Sequence, residues 1–242
     1  MKSIVLDFFK ENIDLIEGCD GGGLDFSLPK FELRPTDFLR FAEEDLSEDL
    51  DMNKLINITS NLKRAMDCEL DTLMCVLGLD EYYRTKRLGV DKKLGFLQRS
   101  GIFKAQSLER LNKYRNRLEH HYEVPSVEDV QVYFDLISAF VSIGDSFIYR
   151  LRSLGGNVSL MYIDSNFQNA VLSTICLNRP KIQLGLTGGL IEHKFSADLQ
   201  KDCSIEEMKK FSYLLKVNQL IGDFYYDNLT EREFIAALSE EI

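Results

Sequence analysis

The hydrophobic period of this chain changes after Gly155-Gly156. Before that point apolar residues recur at spacings of three and four. After it they alternate with their neighbours. A helix repeats every 3.6 residues and a strand every two, so one pattern cannot serve the other element. The expected fold is therefore mainly α, with a helical bundle first and a smaller α+β unit at the C-terminal end. A length of 242 residues suits one large domain or two small ones.

The bundle is expected over residues 36–153. Thr36 or Asp37 can cap a helix after Pro35, with Phe38, Phe41 and Ala42 on one side. Leu55, Ile58, Leu62, Ala65, Met66, Leu70, Leu73 and Leu77 mark a second helix, which Gly78 stops. A third apolar segment runs from Leu94 to Phe103 and ends around Gly101. A fourth helix spans Ser107 to Tyr122 and must end before Pro125, which pushes Val124 out of helical geometry. Ser126, with Asp129 three residues on, opens a long helix striped by Val130, Tyr133, Phe134, Ile137, Phe140, Val141, Phe147 and Ile148.

The ends of the chain read differently. Residues 1–35 are expected to be an appendage: a short amphipathic helix carrying Val5, Phe8, Phe9, Ile13 and Ile16, then a linker built on Gly21-Gly22-Gly23. That run lacks the Gly-Lys-Ser/Thr of a phosphate loop. In residues 157–242, strands are expected around Val158–Tyr162, Val171–Leu177, Ile182–Leu186 and Leu190–Ser196, with a turn at Thr187-Gly188-Gly189. Two capping boxes, Ser204 with Glu207 and Thr230 with Glu233, announce two closing helices.

Composition narrows the function classes. The longest stretch free of charged residues, Ser165 to Asn178, has 14 residues, so no membrane crossing is expected. Five cysteines at no metal-like spacing, Cys68 and Cys75 on one helix face in the core, and no secretory signal suggest a reduced, cytoplasmic protein. The net charge of −10 argues against broad nucleic-acid coating. It is unevenly spread. Residues 81–120 hold 11 bases against four acids, a local +7, and the remainder sums to −17. Such a segment suits a phosphate-tracking groove. Tyr82, Tyr83, Phe96, Phe103 and Tyr114 interleave it. Most of them are expected in the core, with stacking on bases as the alternative use.

Two of the three histidines, His120 and His121, are adjacent and follow Arg115 in the fourth helix. On a helical wheel Arg115 shares the apolar side with Leu111, Leu118 and Tyr122, so it needs a buried partner or an interface. Asp67, Asp71 and Asp135 are the acids that a purely structural role would use. The sequence Arg115-Asn116-Arg117-Leu118-Glu119-His120-His121-Tyr122 resembles the Arg-x4-His-x-Tyr signature of HEPN domains, notably the HepT-type toxins. The context of the resemblance is a bundle, a late helix, a proline and one more long helix, and it covers residues 36–153.

The resemblance implies a metal-independent endoribonuclease that uses no cofactor and works as a homodimer with both motifs on one cleft. It implies His120 as acid/base, Arg115 as phosphate clamp and Asn116 as a positioning hydrogen bonder. His121 offers the alternative Arg-x5-His spacing, and both histidines stand as candidates. Tyr122 is either an RNA contact or the target of nucleotide modification by a nucleotidyltransferase-type antitoxin. Arg110, Lys113 and Arg117 are the nearby RNA-backbone candidates. The chemistry fits these residue types, since imidazole moves protons near neutrality and guanidinium offsets charge on phosphate oxygens. The competing expectation is a non-catalytic helical interaction module. The acids Glu43-Glu44-Asp45 and Glu48-Asp49-x-Asp51 fit no calcium loop and are expected to be solvated or to face the basic segment of a second protomer. No metal site is expected. His193 is expected at the surface.

Overall fold

The computed structural model describes residues 1–47, 49–103, 110, 113, 126–153, 157–162, 169–177, 180–188, 191–199 and 203–240. They divide into two compact units. One comprises residues 27–98 and 102–148 and is helical. The other comprises residues 1–26, 99–101 and 149–242 and contains the sheet.

The described helices of the first unit are α2 (Pro35–Leu46), α3 (Met52–Val76), α4 (Asp80–Thr85), α5 (Val90–Arg99) and most of α6 (Val127–Ser153). Pro35 is itself the first residue of α2, where its missing N–H costs nothing. The Asp37 carboxylate accepts from the Arg34 N–H at 2.9 Å, so Asp37 closes the first turn from inside rather than capping it from outside. Asp51 caps α3 by accepting from Lys54 N–H at 2.9 Å. Ser126 caps α6 by accepting from Asp129 N–H at 3.1 Å.

α2 packs along α3. The expected stripe of α3, from Leu55 through Leu73, is buried, as are Val130, Tyr133, Ile137, Phe140 and Val141 of α6. Phe103 stacks on Phe140 with centroids 4.6 Å apart. Each such buried large side chain contributes on the order of 2 kcal/mol. Gly78, at φ 69°, ends α3 as expected, and α4 is a short helix that the periodicity did not reveal. Cys68 and Cys75 are only half-buried, a correction to their expected core position. Their face of α3 lies at the edge of the packed stripe, and Cys68 donates to the Leu33 carbonyl at 3.6 Å.

Among the described residues, α6 alone has the length and composition to cross a membrane. Charge-free runs had not revealed this, because Asp135 and Asp145 interrupt the helix. Its apolar stripe is taken up inside the helical unit.

The second unit holds a five-stranded antiparallel sheet in simple order, β1 (Ile16–Gly22), β2 (Asn157–Tyr162), β3 (Asn169–Cys176), β4 (Lys181–Gly188) and β5 (Ile191–Asp198). The four expected strands are present. β1 was not expected, and it overturns the reading of residues 1–35 as an appendage. It pairs with β2 from Ile16↔Tyr162 to Gly22↔Asn157. Gly21 and Gly22 are strand residues, and Gly23 is a close approach rather than linker. A Cβ on Gly23 would sit 1.7 Å from the Arg152 carbonyl oxygen, while the Leu24 N–H donates to Leu151 O at 2.8 Å. The unit boundaries follow from this pairing. The N-terminal segment belongs with the sheet, the helical unit begins at residue 27, and α6 passes from one unit into the other after residue 148.

α7 (Ile205–Tyr225) packs on β2, β4 and β5. It buries nearly everything from Met208 to Asn218, and Asn218 donates to the Ser173 hydroxyl at 2.9 Å within the core. α8 (Glu231–Ser239) meets α1 (Lys2–Asn12), with Phe9 and Phe234 rings 4.9 Å apart. Thr230 and Glu233 form the expected reciprocal box. Ser204 caps α7, but Glu207 turns away to accept from the Asp198 N–H at 3.1 Å, tying β5 to the helix instead.

Candidate functional site: a cation-lined cleft in the helical unit

Arg115, Asn116, Arg117, His120, His121 and Tyr122 lie outside the described residues. Arg110 and Lys113 are described, and both are helical and exposed. Of the acids weighed as partners for Arg115, Asp71 pairs with Lys93, Asp135 is exposed and Asp67 is half-buried on α3. Tyr83, Phe96 and Phe103 are in the core and Tyr82 is half-buried. Tyr114 lies outside the described residues. His193 is half-buried, stacked on Phe195 at 6.3 Å. In the acidic run Glu44 pairs with Arg40 at 2.8 Å and Asp51 caps α3, while Glu48 lies outside the described residues.

The first part of the basic segment builds a cleft of about 500 Å³. Its floor is Met74 and Cys75 of α3 with Tyr83 of α4 and Leu88. Pro29 and Phe31 form an apolar wall. Arg84, Arg87 and Lys93 supply cations, and Asp71 and Asp80 supply acids. Lys93 is neutralised by Asp71. Arg84 and Arg87 are exposed and have no ion-pair partner among the described residues. Tyr83 Oη donates to the Lys92 carbonyl at 3.3 Å, fixing the floor against the start of α5.

The backbone under these cations is strained at one point. Two helices in succession end in the same motif, in which the residue after the cap turns left-handed and the next N–H returns to a carbonyl five residues back. After α3 the left-handed position is Gly78, and Leu79 N–H donates to Met74 O at 2.7 Å. After α4 it is Arg87, at φ 52°, and Leu88 N–H donates to Tyr83 O at 3.0 Å. A side chain there costs about 1 kcal/mol relative to glycine. Glycine is the economical choice, and an arginine in its place projects a cation beside Arg84.

The thiols near the cleft are not nucleophiles. Burial, reinforced by Asp80, pushes Cys75 upward, and burial with Glu69 and Asp71 pushes Cys68 up to about 11. Both stay protonated at neutral pH. Deeper in the helical unit Glu69 is 1% exposed, and its Oε1 has no hydrogen-bond partner among the described residues. Burial, with a smaller contribution from Asp145, pushes its carboxyl up to about 8, so it is mostly protonated at neutral pH. It fits only because residue 144 is glycine, where a Cβ would lie 1.9 Å from Oε1.

A cleft with two unpaired arginines over an apolar floor can hold phosphate oxygens while an aromatic or apolar wall covers a base or sugar. Its volume lies within the usual small-ligand range of roughly 300–1,000 Å³. Sequence reasoning found its cations but not its shape. No family model matches the chain, and neither the curated proteins nor the solved structures yield a match.

Proposed function

We propose that the protein is a metal-independent endoribonuclease of the HEPN kind, acting as a toxin or defence effector at a cleft shared by two protomers in the cytoplasm. The observation that carries this reading is the Arg115-x4-His120-x-Tyr122 signature, which falls in chain order between α5 and α6 of a helical unit. The cation-lined cleft supports it, since Arg84 and Arg87 belong to the same basic segment and are free to take phosphate.

In this reading the RNA 2′-hydroxyl attacks the adjacent phosphorus. His120 or His121 takes its proton, and an imidazolium, from the same residue or its counterpart in the second protomer, protonates the departing 5′-oxygen. Arg115 offsets the charge that develops on the phosphate oxygens, and Asn116 positions them. Arg110, Lys113 and Arg117 follow the backbone. Tyr122 contacts RNA or receives a nucleotide from a nucleotidyltransferase-type antitoxin. The products are a 2′,3′-cyclic phosphate and a 5′-hydroxyl.

The test is RNA cleavage in EDTA with end-group analysis. Wild type should cut, and Arg115→Ala and His120→Ala should each lose about 10²–10⁴-fold while staying folded. His121→Ala measures which histidine carries the chemistry. Full activity in both the Arg115 and the His120 variants rejects the assignment. A folded protein that cuts no RNA yet retains a protein partner is instead an interaction module.

A further inference from the structure

The sheet-bearing unit has a second, smaller cleft, of about 210 Å³. Lys2 of α1, Arg99 and the α7 residues Lys209, Lys210 and Tyr213 line it, with Glu206 as its single carboxylate. Glu206 is held by Lys209 at 2.8 Å, so it answers one of the four cations and leaves the others unmatched. Lys2 Nζ stands 5.3 Å from the Tyr213 ring centroid.

Two of the lining residues carry a buried hydrogen-bond donor with no partner among the described residues, the Arg99 Nε–H and the Tyr213 hydroxyl. Tyr213 is 4% exposed, and burial pushes its phenol up to about 12, so it remains a donor at neutral pH. Buried donors are ordinarily paired, and an exception needs an explanation. Around them the lining carries four basic side chains against the one carboxylate of Glu206. Lys216 of the same helix is also buried, and its pKa is lowered by that burial, partly restored by Glu240 at 3.3 Å and lowered again by the charge of Lys2. An acceptor that answers two donors and several unmatched cations is a compact anion with several oxygens. The volume is below that of ordinary small-molecule pockets, roughly 300–1,000 Å³. It admits a phosphate group and little more.

We propose that this cleft is a phosphate-monoester site, in which Arg99 and Tyr213 donate to phosphate oxygens and Lys2 and Lys210 supply the balancing charge. The site is independent of the nuclease reading. Its ligand is either a small phosphorylated metabolite or the terminal phosphate of a nucleic acid, and the shared chemistry is the dianionic phosphate.

The test uses the full chain and isothermal titration calorimetry with inorganic phosphate as first probe. Saturable binding is expected in wild type. Tyr213→Phe and Arg99→Gln should each weaken it about tenfold, the effect of one charge-assisted hydrogen bond. Lys194→Gln removes an exposed cation of β5 in the same unit and should leave binding unchanged. Tyr213→Phe decides the matter even if Arg99→Gln fails to fold. The hydroxyl it deletes has no hydrogen-bond partner among the described residues, so the variant should melt no lower than wild type while binding phosphate more weakly. Ribose 5-phosphate binding more tightly than a 5′-phosphorylated oligoribonucleotide supports a metabolite site, and the reverse order supports a nucleic-acid end. No saturable binding in wild type overturns the proposal. So does unchanged affinity in Tyr213→Phe, or a 5′-hydroxyl oligoribonucleotide that competes as well as its 5′-phosphorylated twin.

Discussion

Two residues of the helical unit hold conformations or charge states that cost stability, and each makes a measurable prediction. Glu69 has a folded-state value of about 8 against an ordinary 4.5. The native state therefore keeps a proton that the unfolded chain releases. Its contribution is fully present below about pH 4.5 and is lost as pH rises through 8. Glu69→Gln keeps the shape without the ionisable group. It should be near neutral at low pH and stabilising by up to about 4 kcal/mol above pH 8, read as a flattened pH dependence of the urea midpoint. Arg87 holds a left-handed position that glycine would occupy without strain. Arg87→Gly should raise stability by about 0.5–1 kcal/mol and weaken RNA association, because it removes a cation from the cleft. Greater stability with unchanged RNA affinity would show that the cleft does not bind RNA.

At the scale of elements, the long helices announced themselves, while the short α4 and one strand did not. The stripe of α3, the Ser126 cap of α6 and the Thr230 box of α8 are local patterns, and local physics made them. β1 reads Ile-Glu-Gly-Cys-Asp-Gly-Gly, with no alternation and two glycines at its end. It is a strand because β2 offers it hydrogen-bonding partners, a condition its own side chains do not encode. Gly23 then lets the backbone pass against Arg152. Gly23→Ala should displace that crossing. A destabilisation of about 1–3 kcal/mol is expected, with faster amide exchange at Leu24, whose N–H bonds to Leu151 O. The Glu207 exchange is of the same kind. The capping-box spacing is present at Ser204, yet the carboxylate serves the sheet because Asp198 N–H lies within reach.

For the whole molecule, charge is distributed against its own average. The chain is acidic at −10, while residues 81–120 are basic. Among the described residues of that segment, the cleft uses Arg84 and Arg87 without partners and Lys93 with Asp71. In the proposed reading Arg84 and Arg87 act with Arg110, Lys113, Arg115 and Arg117 of the same segment. About six contacts on a single strand predict a slope of log K against log salt of about −4, measured by fluorescence anisotropy. A slope near zero would mean that the basic segment does not take RNA.

The sequence by itself determined the long helices α3 and α6 with the caps of α6 and α8, four of the five strands, and the basic segment that holds the candidate nuclease motif. These are properties of neighbours along the chain, fixed by period, caps and charge. Only the tertiary structure decided that residues 1–26 join the C-terminal sheet, that Glu69 is buried against Gly144, and that Pro29 and Phe31 wall a cleft floored by α3 and α4. Each of these depends on a partner distant in the chain. The free energy that selects such a partner comes from closing a loop and burying a surface together, and no local window of sequence contains both terms.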